Sequence, residues 1–348
     1  MNPEVSVIIP AYNTSAYISR SIESALGQTL KNIEVIVVDD ASTDNTLEVV
    51  SSFTDERLKV FINSENLGAG GTRNRAIEEA KGNWIAVLDS DDWYAPERLE
   101  RLVQLAYQEN ADMIADDLYL IKDGEESPWS TLIQESGESI PTTKQIDPVF
   151  FVETDIYRKP GLHLGISKPL FRREFLIQQD IKYDPGIKVS QDFWLALTCL
   201  VRGARFFLVP EPYYFYLSRS GSLVFTAKVT RLTQDCEATI TFMDKEEILK
   251  KQPQLAHALS INYTVFKKHL AYYRVIEPLK DKKWLTALKE MLYNPYFFTY
   301  LIRNIPGIIN RRIQLYLFGN KAAYDIFYST KKQRKLSNIS VKASNKIE

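Results

Sequence analysis

The chain has 348 residues, 45% of them hydrophobic and 25% charged, which excludes a disordered chain and leaves room for one large domain or a domain with an appendage. A formal net charge of −1 excludes the overall basic surplus of a nucleic-acid binder. The charge is unevenly spread: from Arg303 onward ten basic residues face two acidic ones, giving +8 and leaving −9 for residues 1–302. Two cysteines, Cys199 and Cys236, exclude a disulfide scaffold and fit a reducing compartment. His163, His257 and His269 have no metal-ligand spacing, and "MNPEVSVIIPAYN" lacks the pattern of a signal peptide, so the expected location is the cytoplasm.

In chain order, "VSVIIPAYN" (5–13) reads as a buried strand and "TSAYISRSIESALGQ" (14–28) as a helix with Ile18, Ile22, Ala25 and Leu26 on one face. "IEVIVVDDAS" (33–42) is a second strand, followed by a helix through "NTLEVVSSF". "LKVFINSEN" (58–66) is a third strand, with a helix over 70–82 that ends at Gly82. "WIAVLDSD" (84–91) is a fourth, and Pro96 falls where the first turn of the next helix is expected. Continuous apolar strands alternating with helices predict an α/β fold with a mainly parallel, Rossmann-like central sheet and flanking helices. Residues 112–227 are less regular, with a helix at "SQDFWLALTCLVRG" and strand character in "RFFLVPEPYYFYLSRSGSLV". The pattern is helical over 228–330, and 331–348 reads as a basic, disordered tail. The expected domains are therefore 1–227, in halves 1–111 and 112–227, then 228–330 and the tail.

Ligands of parallel sheets bind beyond the carboxyl ends of the strands. Here those ends carry "PAYN" (Pro10, Ala11, Tyr12, Asn13), "DDAS" (Asp39, Asp40) and "DSDD" (Asp89, Ser90, Asp91, Asp92). Like charges crowded beside an apolar core need a counter-charge. No GxxxxGK[ST] and no GxGxxG after the first strand is present, which argues against a P-loop and a nicotinamide cofactor. A divalent cation, Mn2+ or Mg2+, suits hard carboxylate oxygens together with substrate phosphates. Asp89 and Asp91, two apart on an extended strand end, are expected to point to the same side. The alternative is that Asp89, Ser90 and Asp91 cap a helix and make a turn.

The segments "VSVIIPAYN", "VIVVDDASTDNT", "NLGAGGTRNRAI" and "AVLDSDDWYAPERL", in this order over about the first hundred residues, resemble the family two inverting glycosyltransferases of the GT-A fold. "GISKPLFRREFL" and the segment from Val189 to Val224 resemble their acceptor-side half, most like the succinoglycan-type glucosyltransferases that build bacterial exopolysaccharide. The resemblance implies a UDP-sugar donor and a saccharide acceptor, lipid-linked at the membrane. Tyr12 and Asp40 would hold the uracil, with Asp39 serving that pocket or the strand-end turn. Pro10, Ala11 and Asn13 would line the same site. Arg73 would sit near the diphosphate or pair with the aspartates; Asp89 would take the ribose and share the metal with Asp91. Asp92 would face the acceptor or cap a helix. The family's base is the Asp of a Glu–Asp pair; here the pair reads Gln191–Asp192, so the proposed base Asp192 stands while one negative charge beside it is gone.

Arg219 in "SRSGS" (218–222) would close over the diphosphate or lie in a hairpin turn, and Lys168 would line the acceptor site or be solvated. The basic, aromatic stretch 294–335 has no uninterrupted apolar run long enough to span a bilayer. It suits a helix lying in the membrane interface, or a soluble subdomain that makes a homodimer. Two other functions compete. A sugar-1-phosphate nucleotidyltransferase would need a basic glycine-rich loop where "PAYNTSAY" stands, and a non-catalytic sugar-nucleotide sensor or scaffold would find support in Gln191.

Overall fold

The computed structural model describes residues 2–219 and 228–302, with residues 305 and 309. The run "VSVIIPA" forms β1 (Val5–Ala11), and "IEVIVVD" forms β2 (Ile33–Asp39), buried along its whole length. They flank α1 (Ile18–Leu26) in sequence; α2 (Thr46–Ser51), β3 (Leu58–Ile62), α3 (Gly68–Glu79) and β4 (Trp84–Val87) follow. β1 lies between β2 and β4, parallel to both, and β3 continues the sheet in parallel beyond β2. Successive β1 residues face opposite layers, Val7 and Ile9 packing with Ile18 and Ile22 of α1, Ile8 with Ile36 and Ile85. That is the two-residue period of a strand buried on both faces.

The second half begins with β5 (Trp93–Tyr94), α4 (Arg98–Gln108), β6 (Met113–Lys122), β7 (Ser130–Thr131), α5 (Leu132–Ser136), β8 (Lys144–Ile146) and α6 (Pro148–Glu153). β9 (Leu170–Arg172), α7 (Arg173–Gln178), α8 (Gln191–Val201) and β10 (Phe206–Ser218) complete it. The path through the sheet is β3-β2-β1-β4-β9-β6-β10-β5, with β9 antiparallel to both β4 and β6. β10 runs parallel to β6, with its register interrupted around Pro212, where the missing N–H cannot hold the ladder.

Several boundaries differ from the sequence reading. α3 starts at Gly68 and ends at Glu79, with Ala80 extended. Gly82 lies in the turn beyond, where a Cβ would stand 2.5 Å from the Ser6 backbone nitrogen. The fourth strand stops at Val87, and the Asp92 N–H donates to the Asp89 carbonyl at 3.0 Å, closing a turn through the acidic cluster. Pro96 precedes α4 rather than lying in its first turn.

The helices after 228 are α9 (Lys228–Lys245), α10 (Ile248–Lys251), α11 (Pro253–Lys280) and α12 (Trp284–Tyr293). The chain divides into two compact units, Met1–Ile156 with Gly161–Lys267, and Tyr157–Pro160 with Lys268–Glu348. The expected division at 227/228 therefore moves into α11, because Phe242, Ile248, Leu255 and Leu259 belong to the core under the sheet. In the second unit His269 meets the rings of Tyr157 and Tyr300 at 4.9 and 5.0 Å, and Tyr272 meets that of Tyr300 at 4.8 Å. Most of the stretch 294–335, the tail 331–348 and Ser220–Ser222 of "SRSGS" lie outside the described residues. No described helix is long and apolar enough to cross a membrane. Both cysteines are buried.

Candidate active site

The strand ends gather as parallel-sheet topology requires, but the side chains divide their work unexpectedly. At the end of β1 the Tyr12 ring is half exposed (47%), and Asn13, also exposed, stands at φ 51°. Asn13 Oδ1 accepts from the Thr43 N–H at 2.8 Å and from the Asp44 N–H at 3.3 Å, tying the first strand's loop to the second's. Pro10 and Ala11 are paired in the ladder with Val38 and Asp39. Asp40 is fully engaged by protein: Oδ1 accepts from Asn63 Nδ2 and the Leu67 N–H, both at 2.8 Å, and Oδ2 from the Gly68 N–H at 2.9 Å. This carboxylate meets the start of α3 and fixes where that helix begins. Asp39 gives Oδ2 to the Ser42 N–H at 3.0 Å, and its buried Oδ1 has no partner among the described residues.

Beyond β4 lies a closed ring of four charges. Arg73 of α3 donates through Nη2 to Asp89 Oδ1 at 2.6 Å and reaches Asp192 Oδ1 with Nη1 at 3.3 Å. Lys168 Nζ lies 2.9 Å from Asp89 Oδ2 and also donates to Asp192 Oδ2. Each carboxylate thus gives one oxygen to each cation. The Tyr183 hydroxyl adds a hydrogen bond to Asp192 Oδ1 at 3.1 Å. Burial alone would raise the Asp89 pKa, but Lys168 and Arg73 hold it well below the ordinary carboxylate range. Burial would lower the Lys168 pKa, and Asp192 and Asp89 together carry it above the usual lysine value.

Lys168 is placed by a second buried pair. Arg98 of α4 and Asp116 of β6, both wholly buried, meet at 2.7 Å, and Arg98 Nη2 also donates to the Lys168 carbonyl at 2.6 Å. Asp192 is in the first turn of α8, after Ser190 at φ 61°. Its neighbour Gln191 accepts from Arg73 Nη1 at 3.2 Å and donates from Nε2 to the Ile187 carbonyl at 2.5 Å. A glutamate has no N–H for that carbonyl, so the amide fits this position.

The turn separates the other two aspartates. Asp91 meets Arg219 Nε through Oδ2 at 2.6 Å, and Arg219 lies over the Tyr17 ring at 4.8 Å. The extended strand end expected at Asp89 and Asp91 is a turn instead, closed by the Asp92 N–H on the Asp89 carbonyl. Asp92 is engaged by the protein itself: its Oδ2 accepts from the Tyr214 hydroxyl at 2.6 Å and its Oδ1 from the Leu217 N–H at 2.7 Å, which fastens the turn to β10. Burial, then Asp91 and Asp89, push its pKa well up. Ser90 is buried in the same turn.

For a divalent cation, Asp89 is already paired with two cationic side chains, whereas Asp91 meets one, Arg219. No group of three or more His, Cys, Asp or Glu among the described residues could hold an ion alone. A hard carboxylate supplemented by diphosphate oxygens is a donor set that Mg2+ and Mn2+ accept, and Asp91 fits it. The sequence reading missed the bridging role of Lys168 and the contribution of Tyr183. A basic residue beside a strand in "ISKPLF" was the available signal, but pairing over 79 and 24 positions leaves no periodic trace.

A mostly parallel α/β sheet with this charged cluster past its strand ends defines the class: a GT-A-like fold, shared with solved glycosyltransferases. S. aureus TarS 1–349 in complex with UDP-GlcNAc aligns with a TM-score of 0.58 at 20% identity, over 86% of this chain and 91% of that one. The mannosyltransferase PcManGT from Pyrobaculum calidifontis, in complex with GDP-Man and Mn2+, aligns with a TM-score of 0.52 at 18% identity, over 87% of this chain and 86% of that one. The family model described as Glycosyl transferase family 2 matches residues 6–177. Succinoglycan biosynthesis protein ExoO of Rhizobium meliloti (strain 1021) is 30% identical over 310 residues, 89% of this chain and 87% of that protein. The chain belongs to glycosyltransferase family 2.

Proposed function

We propose that the chain is a metal-dependent, inverting hexosyltransferase that moves a sugar, glucose by our reading, from a UDP-sugar to a saccharide hydroxyl. The acceptor is a lipid-linked intermediate of cell-surface or exopolysaccharide synthesis. The observation that carries this reading is Asp192, a carboxylate at a helix start whose two oxygens are oriented by Lys168, Tyr183 and Arg73. The same two cations bind Asp89 on the nucleotide side, so donor-side and acceptor-side carboxylates form one unit.

In the reaction the acceptor oxygen attacks the anomeric carbon as the bond from that carbon to the diphosphate oxygen breaks. Its proton passes to Asp192, and the bonding electrons leave with UDP. One in-line displacement inverts the anomeric centre. Asp89 retains lone pairs beyond those taken by Arg73 and Lys168 and accepts from a ribose hydroxyl. The exposed Tyr12 ring offers a face to uracil, and Asp39 Oδ1 an unmet acceptor near the end of β2. Arg219 supplies positive charge beside the diphosphate. Mn2+ or Mg2+ on Asp91, when bound, neutralises charge on the departing diphosphate. The complexes of TarS with UDP-GlcNAc and of PcManGT with GDP-Man and Mn2+ support a nucleotide-sugar and a metal, and the similarity to the succinoglycan biosynthesis protein ExoO supports polysaccharide synthesis.

Asp192→Asn tests the assignment. Turnover of UDP-glucose should fall about 10³-fold while UDP affinity changes little. The wild-type product should carry a β linkage from the α-linked donor. Retained stereochemistry, or an Asn variant of full activity, overturns the reading.

A further inference from the structure

The second unit carries an exposed apolar face. In α12 the side chains of Trp284, Leu285, Leu288 and Leu292 all stand in solvent, Leu285 at 85% exposure and Leu292 at 77%. At 3.6 residues per turn these four fall within about 100° of the helix circumference, so they form one stripe. Ala287, on a different arc, is the buried residue of this helix. Tyr296 and Ile302 beyond it are exposed as well. A contiguous apolar surface of this kind marks an interaction site.

Charge identifies the occupant. Residues 268–348 hold sixteen basic and five acidic side chains, a net +11, which leaves −12 for the rest of a chain of net −1. Lys282, Lys283 and Lys289, next to the stripe in sequence, are exposed. A second copy would bring an equal positive charge against this one and be repelled, whereas an anionic lipid surface attracts it. A tryptophan and leucines on one face with lysines around them is the composition of a helix that lies in the bilayer interface.

We propose that the exposed face of α12 seats this protein on an anionic lipid bilayer, the leucines and Trp284 entering the headgroup–acyl boundary and the lysines remaining at the phosphates. The contact begins at Trp284, ahead of the stretch 294–335 that composition marks, and it holds whether or not the donor is a UDP-sugar.

Sedimentation of the full chain with vesicles tests it. Vesicles containing phosphatidylglycerol should bind the protein at least tenfold more tightly than pure phosphatidylcholine, and binding should weaken with salt. The double variant Leu285→Glu with Leu292→Glu should lose on the order of tenfold or more in vesicle affinity and keep the wild-type affinity for UDP. Three results would overturn the proposal: no binding to either vesicle, undiminished binding of the double variant, or a wild-type dimer in solution that the double variant dissolves.

Discussion

Lys168 shows how much of this site lies in single residues. Its ammonium is the bridge between Asp89 and Asp192, and a buried ion pair that loses one partner leaves an uncompensated charge. Lys168→Met should lower the unfolding free energy by about 3 kcal/mol. It should also reduce kcat about 10²-fold, with KM for the UDP-sugar moving much less, because Asp192 loses the donor that orients its second oxygen. Lys168→Arg should recover part of both, and steady-state kinetics beside urea unfolding separate the two effects. The sequence exposed the acidic half of this cluster, since aspartates at strand ends follow from topology alone. It did not expose Lys168, Tyr183 or the Arg98–Asp116 pair, whose meaning depends on loops converging from distant positions.

At the scale of elements, β1, β2 and β4 were readable because apolar runs buried on both faces have no other soluble use, and the half-exposed edge strand β3 was readable from its place in the same alternation. Their ends were not: helix and strand limits here depend on the Asp40 carboxylate meeting the start of α3 and on the turn that Asp92 fastens to β10. α9 shows the same dependence. Its Asp235 is buried, with Oδ1 accepting from the Ser190 hydroxyl at 3.2 Å, just ahead of the α8 turn that carries Asp192. Burial pushes the Asp235 pKa up to about 6, against the pull of Arg231 and Ser190. A carboxyl whose folded pKa is raised is protonated more readily in the folded protein than in the unfolded one. Its contribution to stability is therefore greatest below pH ~4 and falls as the pH rises through about 6. Asp235→Asn keeps an acceptor for Ser190 and removes that proton. The wild-type stability minus that of the variant should decline by up to about 3 kcal/mol between pH 4 and 7 in denaturant titrations. A flat difference would place the Asp235 carboxyl in water.

Across the whole molecule, the class and family were legible because four strand-end segments appear in fixed order within one sheet. The division into units was not, because helical periodicity says that a helix has a buried side without saying which core it meets. Hence α9, α10 and part of α11 join the sheet unit, and the exposed face of α12 emerges only once Ala287 is seen to be the side turned inward. The central claim of the proposed function is that Asp91 takes a divalent cation together with the donor diphosphate. Calorimetric titration of UDP into the wild type and into Asp91→Ala, each with and without Mn2+, addresses it directly. The account predicts that Mn2+ tightens UDP binding to the wild type by at least about tenfold and has no effect on the variant. UDP binding that is equally tight with and without the ion in the wild type would contradict it.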